Sequence, residues 1–347
     1  MNTLMRGCDE ESLRLGAQLI KQGGLVAFPT ETVYGLGGDG LNPHAVQAIY
    51  AAKGRPADNP LIEHIADYGM LELLVQTTPE PARRAMEAFW PGPLTCVLPA
   101  TARVPRAVTA GLDTVAVRWP EHPVAQALIL QAGVPVAAPS ANASGRPSPT
   151  CAQDVWEDME GRIPLILDGG PCRVGVESTV VAFSGERPMI LRPGGITREA
   201  LESLLGPVDV HQSALNALQE PSAAPSPGMR HRHYAPKAQV TVVRGPGALE
   251  RMLAAYDACQ AAGGVPWLLI SEMARSRCGE RRLMSYGEGA AQLAAHLFHS
   301  LRLIDAKGAT HIYCLAVDPQ GMGLAAMNRL LRAADFDVMD PQEEDGR

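Results

Sequence analysis

No stretch of this 347-residue chain approaches the about 18 apolar residues of a membrane-spanning helix. Near the N-terminus, Asp9, Glu10 and Glu11 stand where a secretory signal needs its apolar core. Together these absences predict a cytoplasmic protein without a membrane role. Cationic surface is also scarce. The formal net charge is -7, whereas a general nucleic-acid binder draws on broad basic surface to neutralise phosphates; only a local basic pocket stays open. The seven cysteines, at 8, 96, 151, 172, 259, 278 and 314, are dispersed, odd in number and form no Cys-x-x-Cys pair. Reduced thiols packed as small hydrophobes are expected. There is no Walker loop, and no Gly-x-Gly-x-x-Gly directly follows a strand and opens a helix, so a nucleotide here needs a different cradle.

What is present is ordinary globular material. With 46% apolar and 19% charged residues, the chain has enough for a sizeable core and two domains. Leu13, Ala17 and Ile20 recur at helical spacing, as do Val46, Ile49 and Tyr50. Strands are expected at Leu25 to Phe28, Leu94 to Leu98, Thr114 to Arg118, Val134 to Ala138, Leu165 to Leu167, Thr179 to Phe183 and Met189 to Leu191. Helices interrupt them unevenly, which predicts a twisted mixed sheet with flanking helices over residues 8–210. Pro221, Pro225, Pro227 and Pro236 then crowd a linker, residues 211–238. From 239 to 335 the pattern becomes regular, with strands at Val240 to Val243, Trp267 to Ile270 and His311 to Ala316. Helices at Ala248 to Ala261, Ala290 to Asp305 and Leu324 to Ala333 alternate with them. A smaller three-layer, Rossmann-like α/β domain is expected, followed by an acidic tail, residues 336–347.

Chemistry-bearing residues collect where apolar runs end. After Leu25 to Phe28 comes Pro29-Thr30-Glu31-Thr32-Val33-Tyr34-Gly35, placing Thr30 and Thr32 at a strand exit with hydroxyls free to bind. Lys53 and Arg55 end a helix that begins by Pro43 and is stopped by Pro56. Such cations suit an anion, and equally suit a helix C-terminus, whose dipole they complement. Residues 138–150 are rich in hydroxyls and follow an apolar strand, which fits a ligand loop and also a solvated turn. Ser140 lacks the Gly-x-Ser-x-Gly frame of a nucleophile elbow. Arg118, Ser178 and Arg192 all sit at strand ends or starts, and a sheet gathers such ends around one cleft. His64 closes a short run. His231 and His233 form a His-x-His pair with no cysteine or carboxylate cluster at metal-ligand spacing, so no metal site is assigned.

Taken together, these segments resemble the Sua5/YrdC/YwlC family of threonylcarbamoyl-adenylate synthases. The matching pieces are Pro-Thr-Glu-Thr-Val-Tyr-Gly-Leu-Gly at 29–37, Lys-Gly-Arg-Pro at 53–56, Asn-Pro-Leu-Ile at 59–62 and Trp-Pro-Gly-Pro-Leu-Thr at 90–95. Pro-Ser-Ala-Asn-x-Ser-Gly at 139–145 and Gly-Val-Glu-Ser-Thr-Val at 175–180 complete the series. The segment Ser-Pro-Gly-Met-Arg-His-Arg-His-Tyr-Ala-Pro at 226–236 is similar to the longer, two-domain Sua5 branch. The resemblance implies joining of L-threonine, bicarbonate and ATP into threonylcarbamoyl-AMP and pyrophosphate, towards N6-threonylcarbamoyladenosine in tRNA. It also implies Mg2+ accompanying ATP, transfer of the product to the tRNA threonylcarbamoyl-transferase machinery, and weak or no direct binding of tRNA.

Carried over by resemblance, Lys53, Arg55, Ser140 and Asn142 hold the phosphates and carbamate. Thr32, His64, Arg118, Ser140 and Ser178 hold threonine, with Arg118 on its carboxylate. Asn59, Ser144, Thr150 and Arg192 complete the nucleotide side, and Tyr234 shields the reactive carbamate from a linker folded over the site. Two positions depart from the family pattern: Glu63, where an apolar residue is expected, and His231, where an aromatic one is common. Carbamoyl transfer of the hydrogenase-maturation kind is disfavoured, since the chain lacks an acylphosphatase segment and Cys-rich zinc motifs. Double-stranded RNA binding is disfavoured by the acidic net charge.

Overall fold

The computed structural model describes residues 2–214 and 234–341. Among them the chain divides into two compact units, residues 2–144 with 148–214 and residues 145–147 with 234–341.

In the first unit, eleven strands of the described residues form one sheet. From edge to edge they are Leu4–Arg6, Leu165–Leu167, Val26–Phe28, Gly35–Asp39, Val136–Ala137, Ile62–His64, Thr114–Arg118, Leu94–Pro99, Thr179–Ala182, Met189–Arg192 and Asp209–Val210. Leu4–Arg6 runs parallel to Leu165–Leu167, and Ile62–His64 parallel to Thr114–Arg118, whereas Val26–Phe28 is antiparallel to Gly35–Asp39. The sheet is mixed, as the uneven spacing of helices requires. The edge strand Leu4–Arg6 precedes the boundary drawn at residue 8.

Gly35–Asp39 reads Gly-Leu-Gly-Gly-Asp and carries no strand signal, yet it lies in the sheet interior. Its glycines explain this: a Cβ on Gly37 would stand 2.7 Å from Phe28 Cε1 and from Val136 Cγ1. Side chains from the neighbouring strands occupy that space, so the strand is specified by absence of bulk.

The acidic N-terminal cluster works as a helix start. Asp9 caps the helix Glu10–Lys21 by accepting a 2.8 Å hydrogen bond from Ser12 N, and Glu10 and Glu11 lie in its first turn, favourable to the dipole. That helix buries Ala17 and Ile20; complete burial of an Ile side chain stabilises by about 2 kcal/mol. Asn42 caps the helix Pro43–Lys53 through His44 N, and Gly54, at φ 62°, ends it in the left-handed conformation.

The second unit holds a five-stranded sheet, all parallel, in the order Leu283–Ser285, Pro266–Ile270, His311–Leu315, Gln239–Val243, Val338–Met339. His311–Leu315 lies between the first two strands in sequence, which differs from the Rossmann order. Val243, Leu268, Ile270 and Tyr313 pack on one face with Leu249, Met252 and Tyr256 of the helix Ala248–Ala261. Residues of opposite parity, Val242, Leu269, Ile312 and Cys314, are also fully buried. Both faces are therefore covered, giving the three expected layers. No helix among the described residues is long and apolar enough to cross a membrane.

Candidate active site

The helix Pro43–Lys53 delivers its last side chain inward. Lys53 is 3% exposed, and its ammonium donates to the carbonyls of Ser140 and of Asn142, the latter at 2.6 Å, with Asn142 Oδ1 at 3.4 Å. A lysine that merely complemented its own helix terminus would sit in solvent. Arg55 lies just past the left-handed Gly54 and donates to the carbonyls of Asn59 (3.3 Å) and Pro60 (3.2 Å). Asn59 itself is buried, with no partner on its Oδ1 among the described residues, an acceptor turned to the interior.

The loop after Val136–Ala137 is no solvated turn. Leu36 N donates to Pro139 O (2.8 Å), Ala141 N to Tyr34 O (2.8 Å) and Tyr34 N to Pro149 O (2.9 Å), fastening it to the segment that follows Thr32. Ser144 N donates to Lys53 O at 2.9 Å. Carboxylates complete the scaffold: Asp158 accepts from Ala143 N (3.1 Å) and Asp154 from Thr150 N (3.0 Å). As a result Asn142, Ser148 and Thr150 are buried while Ser144 stays exposed. Ser140 Oγ donates to Asn142 Oδ1 at 2.5 Å, so these two side chains act as one unit.

A second group lies along one register row of the sheet. Arg118 is paired with His64 on one side and with Thr95 on the other, so the three side chains project from the same face. Ser178 Oγ meets Thr95 Oγ1 at 2.7 Å, and Arg192 donates to Ser178 O (3.0 Å) and Ser178 Oγ (3.1 Å). Arg192, assigned by resemblance to the nucleotide side, thus touches a residue assigned to threonine; the two sets share an edge. Arg118 donates to Glu31 Oε1 at 2.6 Å, both side chains being 4% exposed.

His64 is 3% exposed, and burial together with the Arg118 charge lowers its basicity to a pKa of about 3. It is a neutral polar contact near neutral pH, unsuited to proton transfer there. Glu63, the departure from the family pattern, is fully buried on the opposite face of the same strand, since successive side chains alternate. Both its carboxyl oxygens are unpartnered among the described residues, and burial with the nearby Asp39 charge pushes it up to about 8. The departure therefore does not intrude on His64.

One expectation is corrected. The Thr30 hydroxyl is not free to bind, because it donates to Val33 O at 2.6 Å and meets Thr32 Oγ1 at 2.8 Å. It also accepts from Thr32 N (3.2 Å) and Val33 N (3.3 Å), closing the tight turn that presents Thr32, which is fully buried. Tyr234 belongs to the second unit, where it stacks on Phe298 (centroids 5.0 Å apart) beneath the Arg329 guanidinium, 5.6 Å from its ring centre. The linker residues 215–233, with His231 and His233, and the tail residues 342–347 lie outside the described residues. Thr95 and Glu31 also join these contacts, although neither stands out within the motifs at 90–95 and 29–37; strand register gives Thr95 its partner, and a loop side chain reaching Arg118 gives Glu31 its own.

The first unit is thus a mixed α/β sheet with guanidinium, hydroxyl and amide groups at its strand ends and a lysine-anchored loop. The Sua5/YciO/YrdC family model, described as telomere recombination, matches residues 18–194, and the threonylcarbamoyl-AMP synthase C-terminal domain matches residues 196–335. The threonylcarbamoyl-AMP synthase of Pyrococcus abyssi is 44% identical over 95% of this chain and 96% of its own length. That of Bacillus subtilis is 45% identical over 94% of each. The solved structure of Pyrococcus abyssi Sua5 complexed with L-threonine superposes with a TM-score of 0.91 at 42% identity, covering 98% of this chain and 99% of that one. The chain belongs to the Sua5 family of threonylcarbamoyl-AMP synthases.

Proposed function

We propose that the protein is an L-threonylcarbamoyladenylate synthase, a nucleotidyl-transferring enzyme that makes threonylcarbamoyl-AMP and pyrophosphate from L-threonine, bicarbonate and ATP. The observation that carries this reading is the fastening of the Ser140–Asn142 loop to the turn bearing Thr32. Lys53 bonds to that loop, and the His64–Arg118–Thr95 row, with Ser178 against Thr95, lies in the same unit.

In this reaction the threonine amine combines with bicarbonate, losing water, to give a carbamate. A carbamate oxygen then attacks the α-phosphorus of ATP, and the bond to the β,γ-diphosphate breaks to release pyrophosphate. No protein nucleophile is needed, which agrees with Ser140 Oγ being committed to Asn142 Oδ1. Arg118 takes the threonine carboxylate, and Thr32, His64 and Ser178 line the rest of the amino acid. Lys53 and Arg55 offset charge developing on the transferring phosphate, a role worth about 3–4 kcal/mol for one well-placed donor. Asn59, Ser144, Thr150 and Arg192 hold the remainder of the nucleotide, and positioning supplies much of the rest of the rate.

Magnesium is proposed to arrive on the phosphates of ATP. The groups assigned to the phosphates, Lys53, Arg55, Ser140 and Asn142, include no carboxylate, and Asp154 and Asp158 next to the loop already receive its amides. That set suits an anion better than a hard cation. The product, by its chemistry, passes to an enzyme that transfers the threonylcarbamoyl group to tRNA. Incubating the purified chain with ATP, labelled threonine and bicarbonate tests the proposal: bicarbonate-dependent pyrophosphate and a threonylcarbamoyl adenylate are expected, and their absence refutes it.

A further inference from the structure

Glu31 has no part in the reaction as derived above, yet it is built into the site. Its side chain is 4% exposed. Oε1 accepts from Arg118 at 2.6 Å, while Oε2, equally enclosed, has no hydrogen-bond partner among the described residues. The backbone around it is held on both sides, by Val174 N donating to Glu31 O (2.8 Å) and by the Thr30 hydroxyl accepting from Thr32 N (3.2 Å) and Val33 N (3.3 Å). The main chain that carries the carboxylate is thus fixed in place. An enclosed carboxylate oxygen without a donor is costly to keep.

Two further titratable groups, His122 and Cys172, sense Glu31. Burial lowers the basicity of His122, against the opposing influence of Glu31, and burial pushes the Cys172 thiol up. Both are uncharged at neutral pH, so neither supplies a cation for Oε2. A ligand does. An α-amino acid carries its ammonium and carboxylate on one carbon, and a carboxylate seated on Arg118 places the ammonium next to whatever flanks Arg118. Glu31 flanks it at hydrogen-bond distance.

We infer that Glu31 Oε2 receives the α-ammonium of L-threonine and accepts the proton that the nitrogen sheds before it attacks carbon, making Glu31 a catalytic residue of carbamate formation. The inference rests on the synthase reading. The ammonium and the Glu31 carboxylate become free amine and carboxylic acid. The amine lone pair then forms the N–C bond with bicarbonate, and one water leaves, so that amine and bicarbonate become carbamate and water with no change in charge. Glu31 returns its proton to solvent as the product departs. The same contact selects an amine over a hydroxyl at the α-carbon.

The test uses the full chain in bicarbonate-free buffer and compares binding of L-threonine with that of its α-hydroxy analogue, 2,3-dihydroxybutanoate, by calorimetry. The wild type is expected to prefer threonine at least about tenfold, the worth of one hydrogen bond to a charged group. Glu31→Gln keeps an acceptor for Arg118 and loses the charge. It should bring the two ligands to within about threefold of each other while the hydroxy analogue still binds, which also reports an intact pocket. Glu31→Asp should restore part of the preference, and kcat at saturating threonine should fall about a hundredfold in Glu31→Gln. Equal weakening of both ligands, with the preference retained, overturns the inference and leaves Glu31 as a support for Arg118. A wild type that binds no threonine at all overturns the synthase reading, and this inference with it.

Discussion

Arg118 meets Glu31 at 2.6 Å in the first unit, and Arg281 meets Asp257 at 2.6 Å in the second. The two pairs share chemistry and distance. They differ in surroundings: 4% exposure for each member of the first pair, against 27% for Arg281 and 55% for Asp257. In solvent, water and salt screen the attraction, and the pair contributes little. In the interior, both ions have lost their hydration, and each becomes the other's main compensation. Evolution toward stability alone favours apolar side chains at such a place. A buried pair with one oxygen unfilled among the described residues suits the zwitterionic ligand inferred above, whose carboxylate and ammonium match a guanidinium and a carboxylate set side by side.

That contrast is breakable at several points. The largest effect is expected from Arg118→Met, which leaves Glu31 buried without its counter-ion and should cost about 3–5 kcal/mol of unfolding free energy, read by urea denaturation. The double variant Arg118→Met with Glu31→Gln should recover a good part of that loss, because neither charge then remains; failure to recover would show that packing, not charge, sets the cost. Next comes Arg55→Ala, expected to lower kcat by about 10²–10³ with the unfolding midpoint little changed. Near-normal turnover would remove Arg55 from the phosphate role.

Glu63 extends the comparison to a buried carboxyl with no cationic partner among the described residues. Its folded-state pKa is raised from the ordinary 4.5 to about 8, so between those values the folded chain holds a proton that the unfolded chain releases. Its contribution to stability is therefore full below about 4.5, declines as pH rises to about 8, and is level above. Glu63→Gln should match the wild type near pH 4.5 and exceed it progressively towards pH 8, by up to about 5 kcal/mol. Thermal unfolding across that range reads the difference, and parallel curves for the two proteins would refute the assignment. His64 works in the opposite sense, its contribution being full above 6.5 and lost as pH falls towards 3, so the alkaline side isolates Glu63. The smallest effect belongs to Asp257→Asn, which should leave the unfolding midpoint where it is. A loss comparable to Arg118→Met would erase the distinction between the two pairs.

Much of this was readable from local pattern. Thr114–Arg118, Leu165–Leu167 and Ala248–Ala261 have the predicted bounds, because β-branched or apolar runs with glycine or proline at their ends state their own limits. Gly35–Asp39 was unreadable, since its place in the sheet depends on Phe28 and Val136 filling the space its glycines leave. The short strand Val338–Met339 and the edge strand Leu4–Arg6 were also missed, being two and three residues long and so too brief for a period to show. Among site residues, Lys53, Ser140 and Asn142 were visible by type and position, and they do meet. Arg192 beside Ser178, and Thr95 beside both Ser178 and Arg118, were not visible, because contacts across strands depend on register.

The sequence by itself determined the composition of the site, the family to which the chain belongs, and the alternation of elements that makes two α/β units, since periodicity and motif are properties of neighbours along the chain. Tertiary structure decided which hydroxyls stay available, which side of its strand each polar residue faces, and that Glu31 is locked against Arg118 with one oxygen unfilled. Those outcomes depend on burial and on pairing between segments 87 residues apart. Desolvation and strand register come into being only when the chain has folded.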